Sequence, residues 1–224
     1  VCSSDLFGFP MPAQPLGWFK KEIAGAGDVN GLKYRTVGLA ADLMQAMGMR
    51  VTQLPGGEIV PAMERGVIDA FEFNNPTSDM RFGAQDVAKN YMLSSYHQAS
   101  ESFEFIFNKD RFERLDKDLQ AILRYAVESA STANTALALD QYSADLQKLQ
   151  KESGVKVVRT PSEVLNKQLE AWDKLIPQLE GDAFMKRVMD SQRAWTERTV
   201  FYQLMNDPDY KLAFNHYFPS KIAL

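Results

Sequence analysis

Between Gly31 and Phe73 the sequence alternates strand-like and helix-like segments so regularly that few topologies remain. "LKYRTV" reads as a short strand, and "GLAADLMQAMG" as a helix with Leu39, Leu43 and Met47 on one face and Gly48 closing it. "RVTQLP" reads as a second strand. "GGEIVPAMERG" reads as a second helix, with Pro61 early enough to be tolerated and Gly66 as its terminator. "VIDAFEF" is the third strand. Strand, helix, strand, helix, strand with short connections predicts a parallel sheet with right-handed crossovers. The last strand also poses a physical question. "GVIDAFEFNNPTSD" sets Glu72 between Phe71 and Phe73, and a carboxylate buried in apolar company must be protonated, paired with a cation or bound to a metal.

The second half has a different character. A short helical piece over 84–90 and two β-rich runs, "YMLSSYHQ" and "SFEFIFNK", lead to a change at Asp110. Between Lys117 and Ser153 there is neither Gly nor Pro, Asp116 suits an N-cap, and Leu119, Ile122, Leu123, Ala126 and Val127 recur at helical spacing. One unbroken helix there would extend ~55 Å at a rise of about 1.5 Å per residue, more than a small domain needs. "VKVVRT" reads as an isolated strand, 161–179 and 182–206 as two amphipathic helices, and "NDPDY" as a break before a last short helix. An α/β half followed by helices too long for it suggests a missing companion lobe.

Composition excludes several classes. With 224 residues, 45% apolar and 24% charged, the chain is an ordinary globular sequence, large enough for one large or two small cores. A net charge of −4, with Lys and Arg interspersed among acids, gives no footprint for nucleic acid. No apolar run approaches the roughly 20 residues of a membrane helix. The one cysteine, Cys2, rules out an internal disulfide and a cysteine-based zinc site. It belongs to "VCSSDL", which is what the sequencing-adapter string GTGTGCTCTTCCGATCT gives when translated. Residues 1–6 are therefore expected to be a non-native scar, the alternative being a genuine N-terminal segment.

Parallel α/β sheets place ligands beyond the carboxyl ends of their strands. That rule selects Arg35, Glu72 and Gln98 as residues able to face one cleft. Arg35 offers a permanently charged planar fork for a carboxylate, or else a surface ion pair with a neighbour such as Asp42. Glu72 is a metal or cation partner, or one half of a structural salt bridge. Trp18 and Phe19, which follow Gln14 and Gly17, line a pocket or pack a loop. His97 and His216 are too few for a metal triad, and no nucleophile elbow, Walker loop, dinucleotide fingerprint or zinc spacing occurs.

Taken in order and spacing, "QPLGWFKKEI", "GLKYRTVG", "LPGGEIVPAMERGVIDAFEF", "AKNY" and "LDKDLQAIL" resemble the solute-binding subunits of TRAP transporters, the DctP family, from about residue 10 to the C-terminus. The block "GGEIVPAMERGVIDAFEFNNPTSD" looks most like the branch that binds 2-oxo acids and related monocarboxylates. The resemblance implies an α/β, periplasmic-binding-protein-like (type II) receptor in which this chain keeps one parallel-sheet lobe and the long C-terminal helices while the first lobe is largely missing; on it, 7–100 is the α/β ligand-binding lobe and 101–224 a hinge strand with a helical C-terminal part. It implies Arg35 as the clamp for the substrate carboxylate, with Gln14, Trp18, Asn74 and Tyr96 as further substrate contacts. It implies a cation, sodium or else calcium, held by Gln14, Glu72, the carbonyl of Phe73 and Gln98. Partners would be a small carboxylate, the membrane subunits of the transporter and a second copy of the chain, all in the periplasm. Many relatives carry Trp where this chain has Phe73, and the aromatic pair common around Tyr96 and His97 is altered. The competing readings are an α/β enzyme with Glu72 as general acid or base and Arg35 as carboxylate clamp, and a helical scaffold that binds no small molecule.

Overall fold

The structure, a computed structural model, describes residues 3–219. The chain begins with β1 (Ser3–Met11), β2 (Gly17–Phe19), β3 (Lys33–Arg35), α1 (Leu39–Ala46) and β4 (Arg50–Thr52). A 3-10 turn at Gly56–Glu58 leads into α2 (Ile59–Glu64), followed by β5 (Ala70–Phe71), α3 (Pro76–Arg81), α4 (Ala84–Val87) and β6 (Asn90–Leu93). Then come β7 (Glu101–Asn108), α5 (Lys109–Glu113), α6 (Lys117–Glu152), β8 (Lys156–Arg159), α7 (Ser162–Leu179), α8 (Ala183–Asn206) and α9 (Tyr210–Tyr217). The chain divides into two compact units, residues 1–175 and 176–224.

In the first unit a six-stranded sheet has the order β4-β3-β5-β2-β6-β8. The β4, β3 and β5 strands are parallel, as the alternating pattern predicts. The central β2 runs antiparallel to both β5 and β6. Only three residues of "QPLGWFKKEI" form it, too few for any periodicity to be visible. Far from being isolated, β8 pairs in parallel with β6 and closes that edge. The β5 strand is shorter than "VIDAFEF" suggests. Gly66 takes a left-handed φ of 70°, and the amides of Val67 and Ile68 bond back to Ala62, so the first bond to β3 comes from Asp69 N to Lys33 O and the strand itself is Ala70–Phe71.

Side chains alternate across a strand, and this sheet uses the alternation to build a core on each face. Trp18, Phe71 and Tyr91 pack on one side with Ile59, Met63, Ile68 and Leu149. Their chain neighbours Phe19, Ala70 and Met92 pack on the other side with Leu43, Met44, Met47, Val164 and Ala171. Leu39, expected on the packed face of α1, is 49% exposed, whereas Leu43 and Met47 are buried.

A separate antiparallel ribbon joins β1 to β7. Val1 and Cys2, of the segment read as a scar, lie outside the described residues, and Ser3–Leu6 fall within β1. The expected long helix is present as the 36-residue α6. Asp116 takes its N-cap position without a side-chain cap, and Leu119 and Ile122, on the expected apolar face, are exposed. In the second unit α8 is capped by Asp182, whose carboxylate accepts from Met185 N at 2.9 Å. None of its described residues is buried. No helix among the described residues is long and apolar enough to cross a membrane.

Candidate functional site

The parallel register of β3 and β5 makes Arg35 the partner of Phe71, which brings Arg35 and Glu72 together at the carboxyl edge of the sheet. The Glu72 amide donates to the Arg35 carbonyl at 3.2 Å, tying the two strand ends together. Above this edge lies a concavity of about 320 Å³ lined by Gln14, Arg35, Glu72, Phe73, Gln98 and Glu101, among others. Six of the eight site residues read from the sequence therefore meet in one place: Gln14, Arg35, Glu72, Phe73, Asn74 and Gln98.

Trp18 and Tyr96 do not. Trp18 is wholly buried, stacks on Tyr91 at 4.2 Å between ring centroids, and donates its indole N–H to Asp79 at 2.9 Å. It is a core residue, because the period-two alternation of β2 turns it into the sheet's interior. Tyr96 is 43% exposed and outside the lining, with its amide and carbonyl tied to Gln168 and Trp172.

Arg35 is pinned rather than free. Its Nε donates to Leu54 O at 2.9 Å, and Nη1 donates to Glu72 O at 2.8 Å and to Glu72 Oε1 at 3.1 Å. Both side chains are only 6% exposed. The protein partner of Glu72 is thus Arg35, the salt-bridge alternative of the sequence reading, and not Asp42 paired with Arg35. Among the described residues Nη2 has no hydrogen bond to a protein group, so one arm of the fork remains for a ligand. Burial pushes the Glu72 carboxyl up to about 7 even against the lowering effect of Arg35, and Asp79 and Glu101 push it the same way. Thr36 Oγ1 lies close enough to favour the ionised form, yet it is buried without a hydrogen bond of good geometry.

Two acids complete the electrostatics. Glu101, at the start of β7, places both carboxylate oxygens 3.5 Å from Asn74 Nδ2. Burial raises its pKa, opposed by the amides of Asn74, Gln14 and Gln98. The sequence reading took the β7 segment as a hinge strand and missed this residue; its alternation of acids and aromatics resembles a solvated edge. Asp79 lies beneath the site, accepting at Oδ2 from Trp18 and Tyr91 and at Oδ1 from Asn74 N, Asn75 N and Ser78 Oγ. Burial raises it to about 6. Together with the Asn75–Ser78 capping box at the start of α3, it fixes the loop that carries Phe73 and Asn74.

Gln14 is held at both ends. Its amide N–H donates to Gln98 O at 3.0 Å, its Nε2 donates to Phe73 O at 3.2 Å, and its Oε1 lies 3.0 Å from His97 Nε2. Burial lowers the His97 ring to about 4, so it is neutral at ordinary pH. No group of three His, Cys, Asp or Glu able to hold a metal occurs among the described residues. The oxygens that converge here come instead from carboxylate, side-chain amide and backbone. That donor set fits a hard cation such as sodium or calcium and does not fit zinc.

Comparisons with known proteins show which family this fold belongs to. A model described as "Bacterial extracellular solute-binding protein, family 7" (DctP) matches residues 14–182. A monocarboxylate 2-oxoacid-binding periplasmic protein of Nostoc sp. is 31% identical over 204 residues, covering 89% of this chain and 55% of that protein. A TRAP periplasmic solute binding protein from Pseudoalteromonas atlantica, solved with bound sodium and pyruvate, superposes with a TM-score of 0.76 at 27% identity, covering 92% of this chain and 65% of that one. A TRAP transporter solute binding protein from Bordetella bronchiseptica, a mixed-occupancy dimer with calcium and picolinate in one site, superposes with a TM-score of 0.80 at 27% identity, covering 96% and 63%. The chain therefore spans a little over half the length of that curated relative, and under two thirds of each of these solved chains.

Proposed function

Because the chain belongs to the bacterial extracellular solute-binding proteins of family 7, we propose that it forms the ligand-gripping part of a periplasmic TRAP-transporter receptor. Its ligand is a small carboxylate, a 2-oxo acid such as pyruvate, taken up together with a sodium or calcium ion. The observation that carries this reading is the buried Arg35–Glu72 pair at the carboxyl edge of two parallel strands, with Nη2 making no hydrogen bond among the described residues.

The residues divide the work. Leu54 O and Glu72 O hold the guanidinium in one plane, so Nη2 presents a fixed donor to a ligand carboxylate. Gln14, Glu72, Phe73 O and Gln98 would hold the cation, with Asn74 as a further ligand contact. Bound there, the ion supplies positive charge that neutralises Glu72 and attracts the ligand anion. Closure of a second lobe over the cleft would remove water and strengthen each of these interactions, and the closed form is what the membrane subunits would recognise. The chain alone offers one wall and is expected to bind weakly.

The rise of Glu72 to about 7 would also suit a general acid or base. The family and the structural neighbours are solute-binding receptors of transporters, however, and not enzymes. Self-association through the exposed apolar residues of the second unit is also part of this reading, supported by the Bordetella relative's being a dimer.

Calorimetry tests the proposal. Pyruvate is titrated, with and without sodium or calcium, into the gene product together with any residues that precede Val1, and into this chain alone. Cation-dependent binding by the former, lost in Glu72→Gln, is expected. Tight binding by this chain alone, or turnover lost in Glu72→Gln with binding kept, would overturn it.

A further inference from the structure

Gln14 enters the cation site through an amide, and an amide presents oxygen or NH₂ depending on which way it is turned. What turns it lies outside the cleft. Ser95 Oγ accepts from Gln168 Nε2 at 2.8 Å and from the backbone N–H of His97 at 3.3 Å. A hydroxyl has two lone pairs and one proton. With both lone pairs engaged, the Ser95 proton is left for its third neighbour, His97 Nδ1, at 2.6 Å. The turn of Gln168 is itself fixed, because Tyr96 N donates to its Oε1 at 2.9 Å.

The consequence runs on to the cleft. With Nδ1 accepting, the single proton of a neutral imidazole is on Nε2, which faces Gln14 at 3.0 Å. The atom of Gln14 turned to it must be Oε1. That leaves Nε2 of Gln14 to donate to Phe73 O at 3.2 Å, as it does. The reverse turn would set the amide oxygen against the Phe73 carbonyl with no proton between them. Each link forces the next, and Oε1 keeps a second lone pair for a cation.

We propose that Gln168, Ser95 and His97 form a one-way hydrogen-bond relay that fixes the turn of the Gln14 amide, making them positioning residues for the cation site. Gln168 belongs to α7, is fully buried and does not line the cleft. The inference rests on the reading of Gln14 as a cation ligand only for its functional consequence; the relay itself is a property of the free protein. Partners of this kind are worth about 10–100-fold in metal affinity in other sites.

The chain has two histidines, so the ring nitrogens of His97 can be assigned by comparison with His216→Gln. Long-range nitrogen–proton NMR of the cation-free chain at neutral pH is expected to show His97 as a single Nε2–H tautomer. An Nδ1–H tautomer or an averaged ring would overturn the relay. Gln168→Met keeps the volume but removes the donor to Ser95, and is expected to leave His97 in mixed tautomers; an unchanged ring spectrum would overturn the proposal. Should that variant not fold, Ser95→Ala makes the same comparison, and the unaltered chain's tautomer already decides the first point. Calcium is then titrated, with pyruvate present, into each protein carried in the gene product with any residues that precede Val1, read on the Gln14 side-chain amide. About tenfold weaker calcium binding in Gln168→Met supports the positioning role, and equal binding overturns it. A predicted tautomer with no calcium response in any protein would support the relay and defeat the cation reading instead.

Discussion

Arg35 Nη1 lies 2.8 Å from the carbonyl and 3.1 Å from the carboxylate of Glu72, so one guanidinium nitrogen grips both the backbone and the side chain of the residue that follows Phe71, its register partner on the neighbouring parallel strand. Two buried charges so placed satisfy one another, but desolvation makes such a pair a weak source of net stability. The proposal of a ligand site here rests on Nη2, the arm of the fork with no hydrogen bond among the described residues.

Removing one partner alone is expected to be costly. Arg35→Met leaves Glu72 buried and uncompensated, and should lower unfolding stability at neutral pH by about 3–5 kcal/mol in urea titrations. Arg35→Met combined with Glu72→Gln should recover part of that loss, giving a favourable coupling between the two positions. Additive losses would show that the pair does not act as a unit.

Asp79 sets a pH dependence. Its folded-state pKa of about 6 lies above the ordinary 3.8, so its contribution to stability is fully present below 3.8 and is lost as pH rises through about 6. Asp79→Asn removes this dependence and also faces the Trp18 N–H with an amide NH₂, a loss of about 1–3 kcal/mol for a buried donor without an acceptor. The stability gap between the two proteins, measured by thermal melts, should narrow as pH rises across that window. Glu101 shifts in the same direction in both proteins and cancels in the comparison, whereas Glu72 loses the upward push of Asp79 in the variant, a smaller change of the same sign.

Gly17 is required by close approach. It takes φ of 117°, and a Cβ there would lie 2.1 Å from Phe71 O and 2.9 Å from Glu72 Cα. Gly17→Ala should therefore cost about 3 kcal/mol or more from strain and overpacking combined. Circular dichroism with a urea midpoint reads it directly, and a near-neutral result would mean that β2 does not pass so close to the end of β5.

The second unit exposes Trp195, Phe201, Leu204 and Met205 along α8, with relative exposures of 59% to 76%. Apolar side chains exposed together in this way mark a contact face. Sedimentation velocity should show a concentration-dependent dimer that Leu204→Glu with Phe201→Glu abolishes. A strictly monomeric chain across the concentration range would contradict the expectation.

Much of this site was legible before any coordinates. Arg35 and Glu72 are marked by the rule that ligands gather at strand carboxyl ends, and the glycine-punctuated alternation from Gly31 to Phe73 is strong enough to predict that β3, β4 and β5 run parallel, though not their order. Trp18 misled because an aromatic beside a glycine looks the same in sequence whether it lines a pocket or fills a core; only the antiparallel insertion of β2 decides. Glu101, Ser95 and Gln168 were invisible for a different reason. They reach the site or its support through tertiary contacts, Gln168 from 73 residues beyond Ser95, and no local pattern encodes such a meeting.

The central claim is that Arg35 and a Glu72-held cation share one carboxylate. A crystal structure of the gene product, with any residues that precede Val1, grown with calcium and pyruvate tests it most directly. The account predicts the pyruvate carboxylate on Arg35 Nη2 and a calcium ion at about 2.3–2.6 Å from oxygens of Glu72 and Phe73. Pyruvate bound elsewhere, or a calcium ion remote from Glu72 while the Arg35–Glu72 pair stays closed, would contradict it.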